Sequence, residues 1–204
     1  MSHLFVSQAR VDAQNDLVTR LGRYQAIYTG GEQALLGPDS ATREHYRLLA
    51  SLSVQLPAGT VLLDGGTSSG LSSLAFAAGN PNVTVWTCDL QDMRPPGPRP
   101  LNVLFLQWNV LHHVELFVEK CPLLFLDVDP HDGFQERNFV EQLHEFRFRG
   151  VLVLDDLYYS PAMTDFWNWA KTTVPKALDV TEYGHWSGTG VLVFDPTFMD
   201  VLVE

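Results

Sequence analysis

The sequence is poor in cysteine and in long apolar runs. Its 204 residues include two cysteines, Cys88 and Cys121, which are too few for a disulfide framework and lack the Cys/His spacing of a zinc site. The apolar runs are too short to span a bilayer, and the first residues lack the basic segment and apolar stretch of a signal peptide. We therefore expect a reducing, cytoplasmic location and no membrane partner.

Positive charge is also scarce. Thirteen Lys and Arg stand against 24 Asp and Glu, which gives a formal net charge of −11. This excess of negative charge disfavours binding to a nucleic-acid backbone, so we expect no nucleic-acid partner. What the chain does have is 46% hydrophobic residues with 11% aromatics, the composition of a globular protein with a full core.

The order of the apolar runs predicts an α/β fold. Short apolar runs, most of them followed by a helical pattern, occupy residues 60–63, 83–87, 102–106, 123–126 and 151–154. Because these predicted strands are apolar throughout, we expect a Rossmann-like, doubly wound, mostly parallel sheet with helices on both faces. A closing pair near residues 180 and 190–194, the last strand antiparallel, brings the count to seven. Residues 1–56 are predicted as a helical cap segment and 57–204 as the sheet domain, within one compact domain.

Polar residues at the strand ends are the candidate site, because open parallel sheets bind ligands beyond the carboxyl ends of their strands. The first strand runs into residues 64–70 (DGGTSSG), whose glycines permit a sharp turn and a close approach of the backbone to a ligand. The second ends at Asp89, a carboxylate that can accept both hydroxyls of a ribose. A plain glycine turn with a solvated aspartate is the alternative interpretation.

Residues 64–70 followed by residues 88–90 (CDL) resemble the first two motifs of class I S-adenosylmethionine-dependent methyltransferases. The third strand end, residues 105–109, lies where that family places the segment beside the adenine, with Asn109 where an aspartate is common. The resemblance covers roughly residues 57–195 and implies S-adenosylmethionine as the cofactor. The implied cofactor-binding residues are Asp64, Gly65, Gly66, Thr67, Ser68, Gly70, Ser72, Asp89, Leu90, Asn109 and Asp127.

Carboxylates concentrate after the fourth and fifth strands. Residues 127–133 (DVDPHDG) carry three aspartates and a histidine, and Asp155 and Asp156 follow the next strand. Neighbouring strands would bring Asp127 close to this pair, where the carboxylates raise one another's pKa unless a cation such as Mg²⁺, Ca²⁺ or Mn²⁺ joins them. Helix capping, which we expect of Asp132, is the competing role.

Residues 125–127 (FLD) and 154–156 (LDD) resemble the metal-binding strand ends of the catechol O-methyltransferase-like branch. The implied metal ligands are Asp127, Asp155 and Asp156. In that branch the metal holds and activates an acceptor oxygen, and a lysine three residues after the fourth-strand aspartate is the proposed base. Pro130 stands at that position here, so His131 is the nearest candidate base, and His131 and Asp127 are predicted as catalytic. A His131 bonded to the backbone is the alternative.

The expected function is therefore cation-assisted methylation of a hydroxyl on a small-molecule acceptor. Two other functions fit parts of the sequence: a metal-dependent nucleotide-sugar transferase using residues 127–129 (DVD), or a catalytically silent binding module. His185 and Trp186, in a glycine-rich turn, either line a substrate mouth or, alternatively, Trp186 packs on the edge of the core and His185 is solvated. The short N-terminal region favours an open site or a homodimer in which a second copy completes it.

Overall fold

The computed structural model of the protein describes residues 2–17, 19–21, 43–92, 94 and 97–204. The helices are α1 (Gln8–Asp12), α2 (Arg43–Ser53), α3 (Leu71–Gly79), α4 (Val114–Lys120), α5 (Phe134–Glu145) and α6 (Pro161–Ala170). The strands are β1 (Ser2–Val6), β2 (Val61–Gly65), β3 (Thr84–Cys88), β4 (Val103–Leu106), β5 (Leu123–Leu126), β6 (Val151–Leu154), β7 (Lys176–Asp179), β8 (Gly190–Val193) and β9 (Met199–Val203). Among the described residues, no helix combines the length and apolar composition that crossing a membrane requires.

Seven strands form one sheet in the order β4-β3-β2-β5-β6-β8-β7. All neighbours in it pair in parallel except β8, which runs antiparallel to both β6 and β7. The predicted α/β fold, with seven mostly parallel strands and an antiparallel last strand, is confirmed. The chain reverses its direction of travel across the sheet between β2 and β5, and the crevice at such a switch point is where ligands bind.

Each face of the sheet carries its own apolar core, because successive side chains of the central strands point to opposite faces. Leu123 and Phe125 of β5 pack on one face with α2 and α3. Leu124 and Leu126 of the same strand pack on the other face with α4, α5 and α6. Since both faces are covered, the carboxyl ends of the strands are where polar side chains can meet a ligand.

Side-chain hydrogen bonds hold the starts of the two helices that follow the acidic segments, one of them from Asp132, as predicted. Asp132 Oδ1 accepts a hydrogen bond from the Phe134 N–H at the start of α5, at 2.9 Å. Ser160 Oγ accepts from the Met163 N–H, at 3.1 Å, at the start of α6. The same hydroxyl lies 3.0 Å from the carbonyl oxygen of His131, so the loop after β5 is tied to the N-terminus of α6.

The N-terminal segment differs from the helical prediction. Ser2–Val6 is a strand that pairs in parallel with Met199–Val203 in a separate two-stranded sheet. Its partner is the opposite end of the chain, so no local pattern marks residues 2–6 as a strand. Residues 22–42 of the predicted cap lie outside the described residues, and the division at residue 56 stays a prediction.

Candidate active site

A cavity of about 440 Å³ opens where the carboxyl ends of β2, β3 and β5 meet. Its wall contains these predicted site residues: Gly66, Ser68, Asp89, Leu90, Asn109, Asp127, His131 and Asp156. A neighbouring cavity of about 200 Å³ adds Thr67, Ser72 and Asp155. The two cavities share Gly66, Ser68, Asp127 and Asp156, so they are adjoining compartments of one groove. Asp64, Gly65 and Gly70 line neither of them.

The glycine loop after β2 is pinned between two other strands. The N–H groups of Gly66 and Thr67 both donate to the carbonyl of Cys88, at 2.9 and 3.2 Å. Gly66 has a φ of +94°, and a Cβ built on it would lie 1.6 Å from the carbonyl oxygen of Asp127. Only glycine therefore fits between the loop and the end of β5. This contact sets the shape of the wall that the two compartments share.

Asp64, at the start of this loop, is buried and hydrogen-bonded to Thr87 and Ser72. Its Oδ2 accepts hydrogen bonds from Thr87 Oγ1 at 2.8 Å and Ser72 Oγ at 3.0 Å, whereas its buried Oδ1 has no hydrogen-bond partner among the residues that the structure describes. Burial raises the pKa of this carboxyl to about 6, although the hydrogen bonds from Thr87 and Ser72 act in the opposite direction. The structure thus places Asp64 behind the cavity wall, and a direct contact with a cofactor stays a prediction.

Asp89 links the glycine loop to the end of β3. Its Oδ2 accepts the Ser68 N–H at 2.8 Å and its Oδ1 accepts the Gln91 N–H at 3.2 Å. A carboxylate offers about four acceptor positions, so two further donors can still be bound from the cavity side. Trp108 lines the same cavity, and its ring centroid lies 4.4 Å from that of His113. The cavity therefore offers a carboxylate and an aromatic ring to one ligand.

Asp156 is the centre of an acidic cluster with imidazoles on both sides. Its Oδ1 lies 3.5 Å from His185 Nδ1, and its Oδ2 lies 3.4 Å from His131 Nε2. Ser187 Oγ hydrogen-bonds to the same Oδ1 and to His185 Nδ1. His131 Nε2 is also 3.9 Å from Asp127 Oδ1, so its ring faces carboxylates. The loops after β5 and β6 and the turn of residues 184–189 before β8 thus converge on one carboxylate.

The three predicted metal ligands lie close together, but they belong to two different groups of potential ligands. Among the described residues, two groups place their ligand atoms within 4.8 Å of one another. Asp127 and Asp156 form one group with His131, and Asp155 and Asp156 form the other with His185. The expected closeness of Asp127 to the pair is observed, although Asp127 and Asp155 fall in different groups. Their role as metal ligands stays a prediction.

Electrostatic conflict is the main property of this cluster. Burial, followed by the charges of Asp155 and Asp156, raises the pKa of Asp127 well above its ordinary value. Burial raises the pKa of Asp155 to about 7. Burial also acts to raise the pKa of Asp156, but hydrogen bonds from His185 and Ser187 overcome it and leave that pKa below its ordinary value. The cluster can therefore hold all three negative charges only with a positive charge among them.

Strained backbone concentrates in the same place. Among the described residues, four other than glycine have a positive φ: Ser68, His131, Arg147 and Asp156. Three of these line the larger cavity. Left-handed backbone costs a side-chain-bearing residue free energy, and such residues gather where function requires a fixed orientation. The strain therefore marks the glycine loop and both acidic loops as one candidate site.

His45 and Ser187 belong to the site but lie outside the sequence motifs that predict it. His45, on α2, is buried, and its Nε2 lies 3.8 Å from Asp155 Oδ2. Burial, followed by the nearby His185, lowers the pKa of His45 to about 3, so it is neutral. Ser187 is missed because a serine in a glycine-rich turn is unremarkable by type. In that turn His185 lies in the smaller cavity, whereas Trp186 is 69% exposed.

No protein-family model and no curated protein matches the chain. Solved structures match most of its length. The S-adenosylhomocysteine-bound methyltransferase PaMTH1 of Podospora anserina has a TM-score of 0.57 at 14% identity, over 92% of this chain and 94% of that one. A candidate caffeoyl-CoA O-methyltransferase of Staphylococcus aureus has a TM-score of 0.56 at 15% identity, over 92% and 100%. The methyltransferase MycE, in complex with Mg, S-adenosylhomocysteine and mycinamycin VI, has a TM-score of 0.56 at 14% identity, over 88% and 54%.

These likenesses show that the chain shares the fold of these methyltransferases. The seven-stranded, mostly parallel sheet flanked by helices is the common feature. At such low identity the fold is shared without any residue role being transferred, because one fold can host many functions. A function must therefore be argued from the side chains of the groove.

Proposed function

We propose that this protein is an S-adenosylmethionine-dependent methyltransferase that methylates a hydroxyl of a small acceptor with the help of a divalent cation. The observation that carries the proposal is the groove itself. The glycine loop, Asp89 and Trp108 line the same groove as Asp127, His131 and Asp156. A nucleoside cofactor and a hydroxylated acceptor would then lie side by side. The shared fold supports the same proposal.

The part of the groove lined by the glycine loop, Asp89 and Trp108 suits an adenosine group. The free acceptor positions of Asp89 would take the two ribose hydroxyls, and Trp108 would cover a face of the adenine. Asn109 accepts the Leu111 N–H at 2.9 Å, which leaves its amide hydrogens as donors to an adenine edge. Gly66 would let the backbone approach the cofactor closely. The cofactor would supply a methyl group on a positively charged sulfur.

The acidic side of the groove, formed by Asp127, Asp155 and Asp156, fits a divalent cation. The Asp155 side chain is only 6% exposed, and its Oδ1 accepts no hydrogen bond from the described residues. Asp127 lines the larger cavity, so its carboxylate can meet a ligand there. Asp127, Asp155 and Asp156 are the proposed holders. A cation there would supply positive charge to orient the acceptor oxygen and favour its ionised form.

His131 is the proposed acceptor of the hydroxyl proton. It lines the groove, and its Nε2 lies 3.4 Å from Asp156 Oδ2 and 3.9 Å from Asp127 Oδ1. Carboxylates on two sides would stabilise the positive charge that the ring gains with the proton. The methyl transfer would then need only alignment of the acceptor oxygen with the cofactor, which the shared groove provides.

The nucleotide-sugar transferase interpretation is less well supported. It needs the first and last residues of the 127–129 tripeptide to act together on one cation. Asp129 is 97% exposed and belongs to neither group of potential ligands among the described residues. The methyltransferase proposal is therefore the one that the geometry favours.

Calorimetric titration of S-adenosylhomocysteine tests the proposal directly. Wild type should bind it, and Asp89→Ala should bind at least about 100-fold more weakly, since two hydrogen bonds to a charged group are lost and each contributes about 1.5–3 kcal/mol. Asp89→Asn should lie between them, because one amide oxygen can still hold the Ser68 N–H. Asp16→Ala, an equivalent change at a surface ion pair, should match wild type. Binding of a nucleoside diphosphate in place of S-adenosylhomocysteine would overturn the proposal.

Turnover on a panel of hydroxylated acceptors with labelled S-adenosylmethionine is the second stage. His131→Gln should lower turnover while leaving S-adenosylhomocysteine affinity within about threefold of wild type, because the ring contacts the acceptor side. Cofactor binding without turnover on any acceptor would instead favour a silent binding module.

A further inference from the structure

The imidazole of His185 faces both carboxylates of the Asp155–Asp156 pair. Its Nδ1 lies 3.6 Å from Asp155 Oδ1 and 3.5 Å from Asp156 Oδ1. A metal ion about 2.1 Å from each of three ligands places those ligands about 3.0–3.4 Å apart, depending on the coordination geometry. The two distances from His185 Nδ1 therefore need to shorten by only a few tenths of an ångström, and the ligand atoms of all three residues lie within 4.8 Å of one another.

The Asp155 carboxylate provides independent evidence that a ligand is needed here. Its side chain is more than nine-tenths buried, and its Oδ1, the oxygen nearest His185, has no hydrogen-bond donor among the described residues. A buried carboxylate oxygen without a donor costs free energy, which a cation beside it offsets. Ser187 does not supply that donor, because its hydroxyl is hydrogen-bonded to Asp156 and His185.

We propose that Asp155, Asp156 and His185 bind one first-row transition-metal ion, such as Mn²⁺, Fe²⁺, Co²⁺ or Zn²⁺, in preference to Mg²⁺. The reason is the nitrogen ligand. Imidazole is a common ligand for transition metals, whereas Mg²⁺ strongly prefers oxygen ligands and water. This inference deepens the proposed function and rests on it for the role of the ion. It replaces Asp127 by His185 as the third ligand.

The two histidines lie beside different oxygens of Asp156, which suggests different roles for them. His185 lies on its Oδ1 side and His131 on its Oδ2 side. The first faces the buried carboxylate of Asp155 in the smaller cavity, and the second lines the larger cavity. His185 would thus hold the ion while His131 and Asp127 stay open to the acceptor.

Metal binding to the full-length, metal-stripped protein tests this inference without an activity assay. Mn²⁺ titration followed by electron paramagnetic resonance gives the affinity, and competition with Mg²⁺ gives the preference. Pulsed resonance of the bound Mn²⁺ detects an imidazole nitrogen ligand directly. We expect wild type to bind Mn²⁺ at least about tenfold more tightly than Mg²⁺ and to show the nitrogen signal.

His185→Gln should lose the nitrogen signal and weaken Mn²⁺ binding at least about tenfold, with Mg²⁺ affinity changed by less than about threefold. His131→Gln should keep the nitrogen signal, as should His144→Gln, a matched change on α5 outside both groups. An imidazole signal that persists in His185→Gln would overturn the assignment. So would absent Mn²⁺ binding, as expected if a proton on His185 is the only cation present.

Titration with S-adenosylhomocysteine separates this inference from the proposed function. Unchanged affinity in His185→Gln would show that the variant folds and that the cofactor wall is intact. A wild type that binds Mn²⁺ through nitrogen but not S-adenosylhomocysteine would overturn the methyltransferase proposal alone. Because the nitrogen signal is measured first on wild type, its absence there would contradict the metal assignment even if the variant fails to fold.

Discussion

Substitution of Gly66 by alanine should be far more damaging than the same change at Gly59. Both glycines have a positive φ, +94° and +82°, so both variants carry the cost of left-handed backbone, about 1 kcal/mol. They differ in what the added methyl group meets. At Gly59 no heavy atom lies within 4 Å, whereas at Gly66 the carbonyl oxygen of Asp127 lies 1.6 Å away. Comparing the two variants therefore separates the free-energy cost of backbone strain from the cost of the contact between the loop and the end of β5.

The expected magnitude follows from how little the Asp127 carbonyl can move. The Asp127 N–H donates to the carbonyl of Gly65 at 2.8 Å, and Gly66 itself is held by Cys88, so both sides of the contact are hydrogen-bonded backbone. Overpacking costs about 1–3 kcal/mol when neighbours can adjust, and the upper part of that range applies here. With the backbone strain, Gly66→Ala should lose about 3–5 kcal/mol of unfolding free energy, and Gly59→Ala about 1 kcal/mol.

Urea unfolding, followed by circular dichroism, measures both losses on the same protein preparation. Where Gly66→Ala stays folded, calorimetry should also show that its affinity for S-adenosylhomocysteine falls at least about tenfold, because the cofactor wall must shift to relieve the overlap. Equal losses of stability in the two variants, within about 0.5 kcal/mol, would refute the claim that the loop is fixed by this contact. So would a folded Gly66→Ala with wild-type affinity.

Three further substitutions test other parts of the site. The pKa of Asp64, raised to about 6 from 3.8, means that the folded state binds this proton more tightly than the unfolded state, so stability is lost as pH rises between these values. Asp64→Asn should escape that loss, and its unfolding free energy relative to wild type should rise by up to about 3 kcal/mol between pH 4 and pH 7 in parallel urea titrations. Trp108→Ala should weaken S-adenosylhomocysteine binding about tenfold in calorimetry, and Trp108→Phe should restore most of it, if the ring covers the adenine; equal affinities in all three proteins would contradict that contact. Ser187→Ala should weaken Mn²⁺ binding about tenfold with cofactor affinity unchanged, because outer partners orient metal ligands; wild-type Mn²⁺ affinity would contradict that role.

The sequence predicts the fold and the edge of the sheet that bears the site, because both depend on local patterns. Continuous apolar runs such as residues 123–126 and 151–154 predict buried parallel strands, and acids directly after them must meet at one edge. The contact of Gly66 with Asp127 could not be predicted, since it depends on the relative height of two strand ends. The pairing of Ser2–Val6 with Met199–Val203 joins opposite ends of the chain and has no local signature.

The histidines show the same limit within the site. His131 was found because it lies in the acidic motif itself, four residues after Asp127. His45 lies on a helix more than 100 residues away in sequence from Asp155, and only the packing of α2 on the sheet brings the two together. The sequence leaves His185 either at a substrate mouth or in solvent, because its approach to Asp155 depends on how the turn before β8 folds back. Residue type and spacing therefore identify acids at strand ends, while the partners of those acids come from tertiary packing.

Under the proposed function, Asp127 links the side of the groove that would bind the cofactor to the side that would bind the acceptor. Its carbonyl oxygen limits the glycine loop to a residue without a Cβ, while its carboxylate faces the groove beside His131. Any movement of the end of β5 would therefore shift the cofactor loop and the acceptor side together. Methyl transfer by direct displacement is sensitive to alignment, and a misplacement of about 1 Å can cost about a hundredfold in rate. A rigid backbone contact between Gly66 and the carbonyl of Asp127 is a physical means of holding that alignment.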